Sequence, residues 1–268
     1  MSLRILKSFF LIGVILISAC SGTSRVRYDS PEEAFTKGMK AYEDERFRTA
    51  AEYFQGVFDF GRTHEWAAES QLFLARAYGG DRQYLLAANE YGRFIQIYRN
   101  DERIPEAEFE LAETYLDRSP EFDLDQNPTV DAITQFQLFI RRNPDNILAP
   151  QAQKRILELR EKLAHKQFQV AQQYERREMF KASALSYETV FDQYYDSEYA
   201  DDALLGAMRM YLAYARQSIR ASQEIRLEKA VESYTRLIQI FPDSPVLDEA
   251  LFIYREVVKE LGLDSESS

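Results

Sequence analysis

From Gln151 to Met179 the chain reads QAQKRILELREKLAHKQFQVAQQYERREM, without a glycine or proline, so nothing in it breaks a helix. Ala152, Ile156, Leu159, Leu163, Val170 and Tyr174 recur at steps of three, four or seven. Leu157, Ala164, Phe168 and Ala171 form a second stripe beside them. One apolar stripe covers one neighbour, so two predict burial from two sides. The expected product is a single helix of roughly 30 residues, about 45 Å long, too long for one repeat. Asn143-Pro144-Asp145-Asn146 reads as its start, with Pro ending the preceding helix and Asn and Asp capping exposed N–H groups. The rod divides the chain into two groups of helices.

Working outward on the N-terminal side, Gly38, Phe47, Ala50 and Phe54 set a small residue where two helices cross and aromatics in the groove between them. Asp44 and Arg46 fall where the turn belongs. The offsets return as Leu74, Ala75 and Tyr78, then Tyr84, Ala87, Tyr91 and Phe94, with Gly79-Gly80-Asp81 expected as the intervening turn. A third unit takes Leu111, Ala112 and Tyr115, then Ala132, Phe136 and Phe139. Its turn is stretched over 117–128, an acidic stretch with two prolines that reads as a solvated loop. Asp123, Asp125 and Asn127 have the opening spacing of a calcium loop, but Pro128 stands in place of its glycine and Thr134 in place of its closing Glu. Beyond the rod, Ala171 and Tyr174 with Phe180, Ser183, Tyr187 and Val190 make a fourth unit. A fifth has Ala203–Ala215 as its first helix, extended by Arg216–Glu224, and Ala230, Tyr234 and Leu237 in its second. Pro245–Leu261 reads as a capping helix. Small residues and aromatics at this period resemble tetratricopeptide repeats. The expected fold is an all-α tetratricopeptide-repeat helical solenoid of five repeats with a long helix joining two halves, 31–146 and 147–262.

Composition agrees: of 268 residues, 46% are hydrophobic and 29% charged, and 10 Gly and 8 Pro punctuate the chain too sparsely for a many-stranded sheet. With 33 basic against 44 acidic residues the formal charge is -11, which repels phosphate backbones, so no nucleic acid is expected as a partner. Cys20 is the only cysteine, and His64 and His165 are the only histidines, so a His/Cys metal site is poorly supplied. There is no Gly-rich phosphate loop, HExxH or nucleophile elbow, so no catalytic residue is nominated.

At the N-terminus Arg4 and Lys7 precede the apolar run Phe9–Ile17, followed by Ser18, Ala19 and Cys20. This is the order of a secretory signal, and its apolar run is too short to favour a spanning helix. Ile17-Ser18-Ala19-Cys20 resembles the bacterial lipobox, in which small residues precede a cysteine that receives lipid. The reading is a signal peptide over 1–19, a lipidated Cys20, a flexible tether over 20–30 and a disordered tail over 263–268. Three acyl chains would make attachment permanent, since each buried CH₂ contributes about 0.8 kcal/mol.

A lipobox, five repeats, an insertion in the third and a long helix after it occur together in the BamD family of the β-barrel assembly machinery. The resemblance is densest where Arg142-Asn143-Pro144-Asp145, Ala152-Gln153-Lys154-Arg155, Leu163-Ala164, Val170-Ala171 and Tyr174 follow one another. It implies a non-catalytic scaffold without a cofactor, anchored in the outer membrane at its periplasmic face. Its implied partners are the POTRA domains of a BamA-like barrel subunit, other assembly-machinery lipoproteins and unfolded outer-membrane proteins. Phe35 and Met39, with Leu72 and Arg76, replace the Lys and Asn of a carboxylate clamp. Phe35, Met39, Tyr42, Arg76 and Tyr78 are the candidate peptide groove, core packing being the other reading of such aromatics. The alternative function is that of another periplasmic tetratricopeptide-repeat lipoprotein, coordinating cell-wall synthesis with envelope maintenance.

Overall fold

Small residues under aromatic rings bring successive helices together along this chain. The computed structural model describes residues 26–262; the signal, the lipobox with Cys20 and the tail lie outside the described residues. The helices are α1 (Pro31–Glu43), α2 (Phe47–Val57), a 3₁₀ turn (Phe58–Phe60), α3 (Trp66–Gly80), α4 (Tyr84–Ile97), α5 (Ile104–Leu116) and α6 (Asn127–Arg142). After them come α7 (Ala149–Arg176), α8 (Phe180–Tyr194), α9 (Ala200–Arg216), α10 (Arg220–Ile240) and α11 (Leu247–Leu261). Among the described residues there is no strand. The chain forms two compact units that meet at Arg99 and Asn100.

The first unit holds the pairs α1/α2 and α3/α4. Pro31 opens α1, where a missing N–H is no loss, and Ser30 Oγ accepts from the Glu33 N–H at 3.1 Å. A Cβ on Gly38 would come within 2.7 Å of the Phe54 ring, so only glycine permits this crossing. Ala75 and Ala112, at successive steps of 37 residues, are fully buried in the next two pairs. Three of the tight turns within pairs place a non-glycine residue in the left-handed region: Glu45 at φ 55°, Arg82 at 58° and Glu178 at 57°. In each, the next residue's N–H reaches back five positions: Arg46 to Ala41 O, Gln83 to Tyr78 O and Met179 to Tyr174 O. The second of these corrects the turn expected at Gly79-Gly80-Asp81. Both glycines are helical, and Gly80 lies against Phe47, where a Cβ would sit 2.7 Å from the ring.

The second unit is organised by α7, one unbroken helix of 28 residues and about 42 Å. Its burial from two sides is distributed along its length. Ala152, Ile156 and Leu159 join Phe109, Phe136 and Phe139 of α5 and α6, whereas Ala171 joins the core of α8–α11. Leu157, placed in the second stripe, is 47% exposed, because each half of α7 has a single partner face. The helix also starts later than expected. Asn146 Oδ1 accepts from the Leu148 N–H at 2.8 Å, making a turn before Ala149, and Pro150 occupies the first helical turn. The extension assigned to the first helix of the fifth pair belongs to the second: α9 stops at Arg216 and α10 begins at Arg220. Arg216 ties α11 to α9 through Glu256 at 2.8 Å and Glu260 at 2.7 Å.

Candidate functional site

Helices α1 and α3 of the first unit carry the candidate groove residues. Phe35 is only 8% exposed, its ring centroid 5.1 Å from Trp66, 5.9 Å from Phe54 and 6.3 Å from Phe73, so it is a core residue. Met39 and Tyr42 follow on α1, half-buried against the same core. Tyr42 meets the edges of Phe47 and Phe73, each at 5.5 Å. The Arg76 guanidinium lies 5.1 Å from the Phe73 centroid, within cation–π range. Phe73, absent from the sequence-based set, therefore links Tyr42 of α1 to Arg76 of α3. Tyr78 is not part of that arrangement. It turns toward α2, where Gln55 Nε2 donates to its hydroxyl, and burial raises its pKa above the usual phenol value, helped by the Glu90 charge. The face thus combines apolar Met39 and Tyr42 surface with a guanidinium, a set that can hold an extended segment by its side chains.

The second unit offers a different surface. Between the start of α8 and the end of α9 lies an open cavity of about 490 Å³, lined by Met179, Phe180, Leu185 and Tyr214 with Glu178 and Lys181 at its edge. Met179 is 48% and Leu185 47% exposed. The left-handed Glu178 makes this possible, since it turns the chain sharply enough to bring Met179 to the mouth of the pair.

The stretch 117–126 is the loop expected there, with Glu121, Asp123 and Asp125 exposed, but it is also held against α7. Lys162 of α7 donates to Ser119 Oγ and to Pro120 O, Lys166 donates to Leu124 O, and Gln126 Nε2 closes the loop on Glu121 O at 2.7 Å. Burial lowers the Lys162 pKa. His165 lies between two rings: Phe122 of the loop at 4.2 Å and Tyr199 at 5.2 Å. Acidic residues and a lysine-bearing helix hid this in the sequence, because the pairs are about forty positions apart. His64 Nε2 lies 3.2 Å from Val57 O in the turn before α3. Asn127 opens α6 and so leaves the loop that carries Asp123 and Asp125, and among the described residues no three His, Cys, Asp or Glu side chains gather to hold a metal. No described helix is long and apolar enough to cross a membrane.

Residues 27–228 match the family YfiO, whose description is outer membrane lipoprotein. The outer membrane protein assembly factor BamD of Caulobacter vibrioides is 22% identical over 232 residues, covering 83% of this chain and 74% of that protein. BamD of Vibrio cholerae is 24% identical over 246 residues, covering 87% of this chain and 96% of that one. Among solved structures, a TPR repeats protein from Bacteroides fragilis aligns at 13% identity over 87% of this chain and 100% of that chain, with a TM-score of 0.49.

Proposed function

Since the chain belongs to the YfiO family of outer membrane lipoproteins, we propose that it works as a non-catalytic scaffold that hands unfolded outer-membrane proteins to a Bam-type assembly complex. The observation that carries this is the family match over residues 27–228, which takes in both candidate surfaces. Acylated Cys20 holds the protein at the periplasmic face of the outer membrane. The α8/α9 cavity receives an apolar anchor from the POTRA portion of a BamA-like subunit, and other lipoproteins of the complex join it. The α1/α3 face receives the unfolded client. A barrel strand before insertion carries alternating apolar side chains that aggregate unless shielded. Met39 and Tyr42 offer dispersion contacts to such side chains.

Two variants separate the surfaces. Met179→Asp with Leu185→Asp is expected to abolish recovery of the barrel-forming subunit by affinity isolation from detergent-extracted membranes. Met39→Asp with Tyr42→Ala is expected to retain that subunit while losing cross-links to unfolded barrel proteins. Depletion should lower several outer-membrane barrels together. Unchanged barrel levels with altered cell-wall cross-linking would overturn the proposal.

A further inference from the structure

The chain enters the first helical pair under restraint. Tyr28 lies over Gly56 of α2 so closely that a Cβ there would come within 2.2 Å of its ring. Its hydroxyl donates to Asp59 Oδ2 at 2.6 Å, and its ring meets the edges of Tyr53 at 6.4 Å and Phe60 at 6.2 Å. On the other side, Lys37 Nζ donates to Arg27 O at 2.9 Å, and Asp29 N–H donates to Glu33 Oε2 at 2.7 Å. Of the tether read over 20–30, the part from Arg27 onward is therefore fastened to α1 and α2.

This clasp lies at one end of the pair. The helices run antiparallel, so the start of α1 and the end of α2 share an end with Phe58–Phe60. The turn at Glu45, with Arg48 beyond it, lies at the other, about 16 Å away along the eleven residues of α2. The residues nearest the clasp form a connected end: His64 Nε2 meets Val57 O, and Tyr98 OH donates to Arg62 O at 3.4 Å. Phe60 stands at that end 45% exposed.

Eight peptide steps separate Cys20 from Tyr28, and whatever their conformation they span at most about 29 Å. Resting on the acylation of Cys20, we propose that Phe60, exposed at the end where the chain enters within about 29 Å of the anchor, meets the lipid headgroups and holds that end of the first unit at the bilayer. Aromatic side chains are favoured at that depth, where an apolar ring gains from the interface without entering the hydrocarbon. The occupant of this exposed corner is a lipid surface, and the Arg48 end is left facing the periplasm.

The test uses the full lipidated protein in vesicles of phosphatidylethanolamine and phosphatidylglycerol. With Cys20 acylated, a cysteine introduced by Phe60→Cys or Arg48→Cys is the one free thiol for a fluorophore. Headgroup spin-labelled lipid should quench the label at position 60 and leave the label at position 48 bright. Inserting twenty Gly/Ser residues between Arg25 and Val26 adds about 70 Å of reach and should remove the loss at position 60. Equal quenching at both positions in protein that sediments with the vesicles would overturn the inference. Protein that fails to sediment would overturn the acylation on which it rests.

Discussion

Replacing Ile156 by Ala tests whether α7 serves two cores in succession. Ile156 is 4% exposed and packs with Phe136 and Phe139, which are 0% and 1% exposed, and with Phe109 and Leu159. Removing an isoleucine side chain to its Cβ in such a core costs about 2–5 kcal/mol, the higher values applying where neighbours cannot collapse into the space. Interlocked rings collapse poorly. Phe109 meets Phe136 at 5.9 Å and Phe139 at 5.4 Å, both edge to face. A loss of about 3 kcal/mol follows, equivalent to opening roughly two orders of magnitude more often. Native-state hydrogen exchange should show that acceleration at the amides of α5 and α6 and little change in α9–α11, whose core reaches α7 only through Ala171 and the neighbouring Phe168. The reciprocal variant, Leu237→Ala in the fully buried core of α10, should free α9–α11 and spare α5 and α6. Equal acceleration of both groups by either variant would refute the two-core reading and make the second unit a single cooperative block.

Three further substitutions probe the devices that shape the pairs. Gly206→Ala places a Cβ 2.8 Å from the buried Tyr187 ring, so it should destabilise the protein by about 2 kcal/mol in urea unfolding; an unchanged midpoint would show that the ring can move aside. Glu178→Gly removes a left-handed penalty of roughly 1–2 kcal/mol, partly offset by the extra freedom of glycine in the unfolded chain, and should stabilise by about 0.5 kcal/mol. Glu161 has its pKa raised first by burial and then by the charges of Glu198 and Asp196, against a backbone hydrogen bond from Glu198 that lowers it. A raised folded pKa favours the protonated form. Its stabilising contribution is therefore present below the ordinary carboxylate value of about 4.3 and lost as pH rises through the folded value. Glu161→Gln should accordingly gain stability relative to the parent between pH 4 and pH 7, and a gap that stays constant or reverses in urea titrations at the two pH values would refute it.

The contrast between α7 and the loop packed on it shows which features of this fold a sequence carries. The long helix is legible because its causes are local: no Gly or Pro from Gln151 to Met179, and apolar residues at helical steps. The same periodicity misplaces Leu157, since it records which residues share a face without recording where along the helix one neighbour gives way to the next. Glycines at 79 and 80 read as a turn because glycine permits one, yet close approach to Phe47 is what requires Gly80, and left-handed Arg82 makes the bend. The clamp position nominates Arg76 but not its ring partner Phe73, because Phe73 acquires its contacts only where α1 crosses α3. The loop at 117–126 is the strongest case. Its acidic, proline-bearing sequence says solvent, while Lys162, His165 and Lys166 hold it through contacts that span about forty residues. Those three side chains lie within five positions on α7, a spacing that puts 162, 165 and 166 on one face of a helix. The pattern for a docking face was therefore present, and only the identity of what docks was missing. A cationic, histidine-bearing helical face beside a long insertion can thus be read as a pair, the lysines supplying donors to the loop's carbonyls and the histidine a ring to Phe122.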